Sequence, residues 1–240
     1  MVNIGGANTG NERRGLSFLV FVGIIGFSIA RAIATFFTNY LWFDSVELNS
    51  VWIKILLTKS ILVAATSLLA FAFIFINLRL AVRATPVMDI FESFESQDPL
   101  TRFREFFNER FLKYRLWGAI GLSLFLGAGA SQLWEQVLLF INQKSFGVAD
   151  PVFQYDVSSY VFGLPLYRLF VSWGFQLVIF TSFIIILFFI ATGALQLRQG
   201  RLPEVSSGAK AHLSVLLAFV ALLKAFAYRL DAMELLYSPR

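Results

Sequence analysis

Between Arg168 and Arg198 the chain runs for 29 residues, 169–197, without one charged side chain. The centre of that run, LVIFTSFIIILFFIATGAL, is apolar on every face a helix could present. About 20 such residues cross the hydrocarbon core of a bilayer as a helix. A helix on a soluble core needs only an apolar stripe. The run therefore reads as transmembrane, and the rest of the chain is best read in a membrane frame. Composition agrees: 58% of the 240 residues are hydrophobic, 15% are charged, Phe occurs 28 times, and the mean hydropathy is +0.71. These values suit a polytopic membrane protein and not a soluble domain.

Four more apolar runs complete the pattern, giving expected spans at 15–37, 52–77, 116–134, 169–195 and 211–228. Residues 1–14 form a polar tail ending in Arg13-Arg14. The apolar run after it exceeds the roughly 7–15 residues of a cleaved signal peptide, so a retained signal-anchor helix is expected. Gly23, Gly26 and Ala30 would let another helix come close, and Tyr40, Trp42 and Trp52 resemble an interfacial belt. The polar stretch 78–115 contains Asp98-Pro99, a capping residue followed by a first-turn proline. Leu100, Phe103, Phe107, Phe111 and Tyr114 then recur at helical spacing. That predicts a cytoplasmic-side amphipathic helix lying on the membrane and leading into the third span. Residues 142–168 hold Gly147, Pro151, Gly163 and Pro165 among six aromatics, and read as a structured interface loop. The fold expected is all-α, a transmembrane helical bundle of about five spans (residues 15–240) plus the amphipathic helix.

Lys and Arg decide orientation in short loops. Segments 1–14, 78–115 and 196–210 carry twelve of them, and segments 38–51, 135–168 and 229–240 carry four. This predicts a cytoplasmic N-terminus and an external C-terminus in a bacterial inner membrane. The four remaining basic residues, Arg31, Lys54, Lys59 and Lys224, lie inside or at the edges of spans. At about 1.5 Å rise per residue, Arg31 sits roughly 24 Å from the inner edge and Lys224 roughly 20 Å. All four thus fall in the outer half of the bilayer. One reading is an outward-facing basic pocket for an anionic lipid headgroup or solute. The competing reading is snorkelling, with pairing to Asp44, Glu47, Asp156 or Asp231.

Cys is absent, which removes disulfides and thiolate chemistry. His212 stands alone, at the inner edge of the fifth span, and is expected to be interfacial. No metal-ligand spacing, phosphate loop or nucleophile elbow occurs. Neither catalytic residues nor a cofactor or metal is expected, so an enzyme is not expected. The basic residues flank apolar runs, so headgroups explain the net charge of +5 and nucleic acid is not an expected partner.

One stretch is distinctive as a whole. SFGVADPVFQYDVSSYVFGLPLYR (145–168) resembles the signature of a group of bacterial membrane proteins, uncharacterised protein family 0182. The residues that carry the likeness are Asp150, Pro151, Phe153, Asp156, Tyr160, Pro165, Tyr167 and Arg168. YLWFDSVELNSVW (40–52) is similar to the family's segment after the first span, with Glu47-Leu48 in place of a Gly-Tyr. YRLDAMELLYSPR (228–240) is similar to its segment after the fifth. The resemblance implies longer proteins with further spans and a large extracytoplasmic region, of which this chain would be the truncated N-terminal membrane part. It implies no activity. The expected function is a membrane anchor or scaffold for an extracytoplasmic region or partner. The alternative is a transporter or channel component handling an anionic lipid or solute through the outer-half basic residues. Expected partners are the lipid bilayer, membrane spans or an extracytoplasmic region outside this chain, and a second copy of it.

Overall fold

The computed structural model describes residues 9–85, 99–196 and 204–237, and side chains within 18–85, 113–196 and 204–236. The tail before residue 9, the cap at Asp98 and the aromatic face at Leu100, Phe103, Phe107 and Phe111 lie outside these described parts. Helices dominate: α1 (Thr9–Ser45), α2 (Asn49–Ala84), α3 (Pro99–Ala128), α4 (Trp134–Ile141), α5 (Leu164–Ala191) and α6 (Ser207–Glu234). Among the described residues five helical stretches are long and apolar enough to cross a membrane. They are Phe18–Ser45, Asn49–Ala84, Lys113–Ile141, Ser159–Ala191 and Ser207–Glu234. The all-α, five-span architecture is therefore the one found. Each helix outruns its apolar core, because helix geometry continues until a cap stops it and polarity need not. So α1 already begins at Thr9, within the polar tail, and α3 joins part of the amphipathic stretch to the third span without a break.

The chain divides into two compact units, Met1–Leu56 and Leu57–Arg240. In the first, α1 turns into α2 through Val46–Leu48. The Leu48 N–H donates to the Phe43 carbonyl at 2.9 Å, and Asn49 Nδ2 donates to Asp44 Oδ1 at 2.5 Å. Glu47 occupies the left-handed region, φ 59°. This is where the resemblance leads one to expect glycine, the residue without a Cβ penalty there. Phe36 and Tyr40 meet Trp52 edge-on at 5.0 and 5.4 Å.

The second unit is built around α5. Ala70, Ile74, Leu78 and Ala81 of α2 recur every three or four residues and share one core with Leu177, Ile185, Phe188 and Phe189 of α5, Ala119 and Leu126 of α3 and Leu216 of α6. α5 and α6 pack along each other. A Cβ on Gly127 would overlap the Ser67 hydroxyl, so α3 meets α2 there only as glycine. α5 ends where Gly193 turns left-handed, φ 74°, the usual helix stop. A two-residue hairpin follows, β1 (Leu195–Gln196) antiparallel to β2 (Glu204–Val205). Ser206 then caps α6, its Oγ accepting from the Ala209 N–H at 3.3 Å.

The fourth span differs from the reading of 142–168 as a loop throughout. Helix begins at Val157, passes through a π turn, Ser159–Gly163, and runs directly into α5. Pro165 falls in the first turn of α5, where the missing N–H leaves no bond unmade. Two of the four residues taken as breakers, Gly163 and Pro165, are thus helical, and the connector shortens to 142–158, its last two residues already in helix.

Candidate functional site

Within that loop two carboxylates organise the backbone. Asp150 Oδ1 accepts from the N–H groups of Val152 and Phe153 at 2.8 and 2.9 Å. Its Oδ2 accepts from the Tyr155 N–H at 3.2 Å and the Tyr160 hydroxyl at 2.6 Å. Asp156 Oδ1 accepts from Phe146 N at 3.1 Å and Ser158 N at 2.8 Å. Its Oδ2 takes the Ser145 hydroxyl and the Gly147 N–H, the latter at 2.9 Å. Aspartate suits this work because its short side chain reaches backbone amides two or three residues away. Main-chain bonds lace the same stretch, Asp150 N to Tyr155 O at 2.9 Å and Val157 N to Val148 O at 2.9 Å.

These contacts fix ionisation. Burial pushes the Asp150 carboxyl up, but the bonds from Tyr160 and the amides of Phe153, Val152 and Tyr155 outweigh it and hold it below the ordinary 3.8. Asp156 is held further below the usual range, first by the Ser145 hydroxyl, then by Ser158 and the Phe146 amide. Each carboxylate receives four donors. That is the chemistry of a structural brace, with both groups ionised at neutral pH.

The loop is tied to two helices. Arg168, one turn into α5, reaches across to α6: Nε donates to Glu234 Oε1 at 2.7 Å, and Nη2 bonds Asp231. The Arg229 guanidinium lies over the Phe153 ring, 5.3 Å from its centroid. Phe140 and Tyr167 meet edge-on at 5.8 Å. Below the loop a cavity of about 240 Å³ is lined by Tyr155, Ser159, Tyr160, Leu164, Tyr167 and Met233. So the structure brings Asp150, Phe153, Asp156, Tyr160, Tyr167 and Arg168 into one region, while the exposed rings of Pro151 and Pro165 shape its turns. Sequence reasoning missed Ser145, Arg229 and Glu234. The last could have been found, since Asp231 and Glu234 sit three apart and share a helix face.

The basic residues read as a pocket are placed as follows. The Lys59 ammonium lies 5.4 Å from the Trp134 ring centroid, and that of Lys224 lies 4.5 Å from the Tyr228 ring. Arg31 and Lys54 are exposed on α1 and α2 within the first unit. Of the acids considered as their partners, Asp44 accepts from Asn49, Asp156 braces the loop and Asp231 binds Arg168. His212 packs inside the protein. It is buried, 8% exposed, with Nε2 3.0 Å from Asn77 Oδ1 and its ring edge-on to Phe189 at 5.8 Å. α6 starts at Ser207, four residues before its apolar run.

The arrangement has relatives. The sequence profile of the Uncharacterised protein family (UPF0182) matches residues 16–240. The chain belongs to this family. A UPF0182 protein of Mycobacterium bovis (strain BCG / Pasteur 1173P2) is 37% identical over 206 residues, covering 85% of this chain and 20% of the relative. One from Rhodococcus jostii (strain RHA1) is 35% identical over 206 residues, 85% of this chain and 21% of the relative. One from Nocardia farcinica (strain IFM 10152) is 34% identical over 204 residues, 85% and 20%. The chain thus spans about a fifth of the length of these UPF0182 relatives. No solved structure matches it. The signature loop and the Arg168 clamp lie within the matched UPF0182 region.

Proposed function

We propose that this UPF0182 chain is a noncatalytic membrane anchor. In this reading it sits in a bacterial plasma membrane with its N-terminus in the cytoplasm. It presents the far end of α6 to an extracytoplasmic region or partner on the other side. The observation that carries the reading is the clamp on that end. Arg168 binds Asp231 and Glu234, and Arg229 stacks on Phe153, so the last turns of α6 are held to α5 and to the braced loop. A pull on α6 would be shared by two helices and a loop. The length of the relatives and the excess of Lys and Arg in the odd-numbered segments support the same reading.

Two experiments test it. Reporter fusions after residue 90 and after residue 240 should score as cytoplasmic and external respectively, and the opposite pattern overturns the orientation. A photo-crosslinking amino acid replacing Leu236, 40% exposed, should in intact cells join the chain to a polypeptide that protease can reach from outside. Adducts to lipid alone would overturn the anchor.

A further inference from the structure

We infer that the 142–158 loop is an interfacial foot whose tip, carried by Phe146, Val148 and Val152, is set into the headgroup–acyl boundary of the bilayer leaflet. The loop joins the ends of two candidate spans, Lys113–Ile141 and Ser159–Ala191, so both its ends are held at the membrane surface. What decides whether such a loop can enter the boundary is its backbone, because unpaired amides resist leaving water.

Here most of the amides, though not that of Val148, are already used. Phe146 and Gly147 donate to Asp156. Val152, Phe153 and Tyr155 donate to Asp150, and Ser158 to Asp156. Asp150, Gln154, Val157 and Ser159 donate to main-chain carbonyls within the loop. The side chains complement this. The loop's two acids spend their charge on those amides, and its one basic residue, Lys144, is exposed where it would meet lipid phosphate. Meanwhile Phe146, Val148 and Val152 are 51%, 59% and 64% exposed. Ile141 and Val161, on the span ends flanking the loop, are exposed too, so the apolar surface continues from the spans onto the loop. With the two acids turned inward, and Phe146, Val148 and Val152 turned outward, the tip forms a lipid-facing surface made from a loop, while Asn142, Gln143, Lys144 and Gln154 stay exposed on its headgroup side. The inference goes beyond the anchor reading and does not depend on it.

The absence of cysteine makes the test direct. Val148→Cys and Val152→Cys, each carrying a nitroxide label, would be placed in bilayers of phosphatidylethanolamine and phosphatidylglycerol. Collision of the label with oxygen, which prefers lipid, would be compared with collision with a water-soluble nickel chelate. Glu204→Cys, exposed on the hairpin, serves as the water reference, and Leu217→Cys, exposed in mid-span, as the lipid reference. The oxygen-to-nickel ratio at 148 and 152 should exceed the Glu204 value severalfold, towards that of Leu217. Adding Asp156→Asn should lower it, because amides set free by opening the loop draw it into water. Ratios equal to the Glu204 value would overturn the inference in favour of a loop standing in water. Labels immobilised and shielded from both reagents would overturn it in favour of protein contact. Neither result would alter the outcome of the topology and crosslinking experiments.

Discussion

The unit formed by residues 57–240 is closed at two places by opposite means. Around the 142–158 loop, charge does the work: two carboxylates hold eight donors, and Arg168 binds two acids of α6. Around the α5–α6 hairpin, closure is neutral and steric. His212 meets Asn77 at 3.0 Å, and the start of α6 lies so close to α2 that a Cβ on Gly208 would overlap the Ala84 carbonyl. The difference follows from how each region is connected. A loop crossing between spans has many backbone amides to satisfy, and carboxylates satisfy several at once. At the start of α6 the Ser206 cap and the strand before it already take up backbone amides, so close approach matters more there.

Substitutions can break this contrast. Asp150→Ala removes the acceptor of three amides and the Tyr160 hydroxyl. It should give the largest fall in Tm in detergent and open the loop to protease, with Tyr160→Phe costing far less. Gly208→Ala should cost about 1–3 kcal/mol through overpacking against Ala84, read as a fall in Tm without new cleavage in the loop. Arg168→Met should cost roughly 1–2 kcal/mol, since hydrogen bonds to charged groups are strong but Asp231 and Glu234 are partly solvated. Asp231→Asn and Glu234→Gln should each recover part of that loss when combined with it.

Acid should sharpen the contrast further. The folded chain keeps Asp150 and Asp156 ionised below the pH at which the unfolded chain protonates them, near 3.8. Their stabilisation is therefore complete above that value and is lost as pH falls below it. Melting curves taken from pH 6 to pH 3 should show the drop, and Asp156→Asn should make it shallower. At the hairpin, Asn77→Leu alone should cost about 1 kcal/mol by leaving His212 without its acceptor. The double change with His212→Phe should recover most of that, which a double-mutant cycle would read.

What the sequence disclosed divides along the same line. The spans were plain, because an apolar run of about 20 residues has few other uses. The loop was visible as a motif, since Asp150, Asp156 and Tyr160 are unusual amid so much apolar sequence. Their roles were not, because an acceptor for backbone amides looks the same in one dimension as a catalytic acid. Arg168 was counted as a loop charge, yet it lies on α5, because Pro165 and Gly163 look like breakers but occupy positions where helices admit them. The hairpin contacts were illegible. A lone His at the edge of a span carries no sign that an Asn far along the chain will meet it. Gly208 likewise gives no hint of the carbonyl beside it. Ionic closure marks the sequence locally, and steric closure does not.

The bond between Asn77 and His212 joins positions 135 residues apart, and that separation has a meaning in time. A ribosome adding about 5–20 residues per second makes Asn77 roughly 7–27 seconds before its partner exists. Through that interval α2 can tether the amide nitrogen to its own Phe73 carbonyl, 2.8 Å away, but the side-chain oxygen has to wait. A chain halted before α6 would keep a bare polar atom inside an apolar helix. The nascent chain thus carries a mark of its unfinished bundle, erased only when α6 docks.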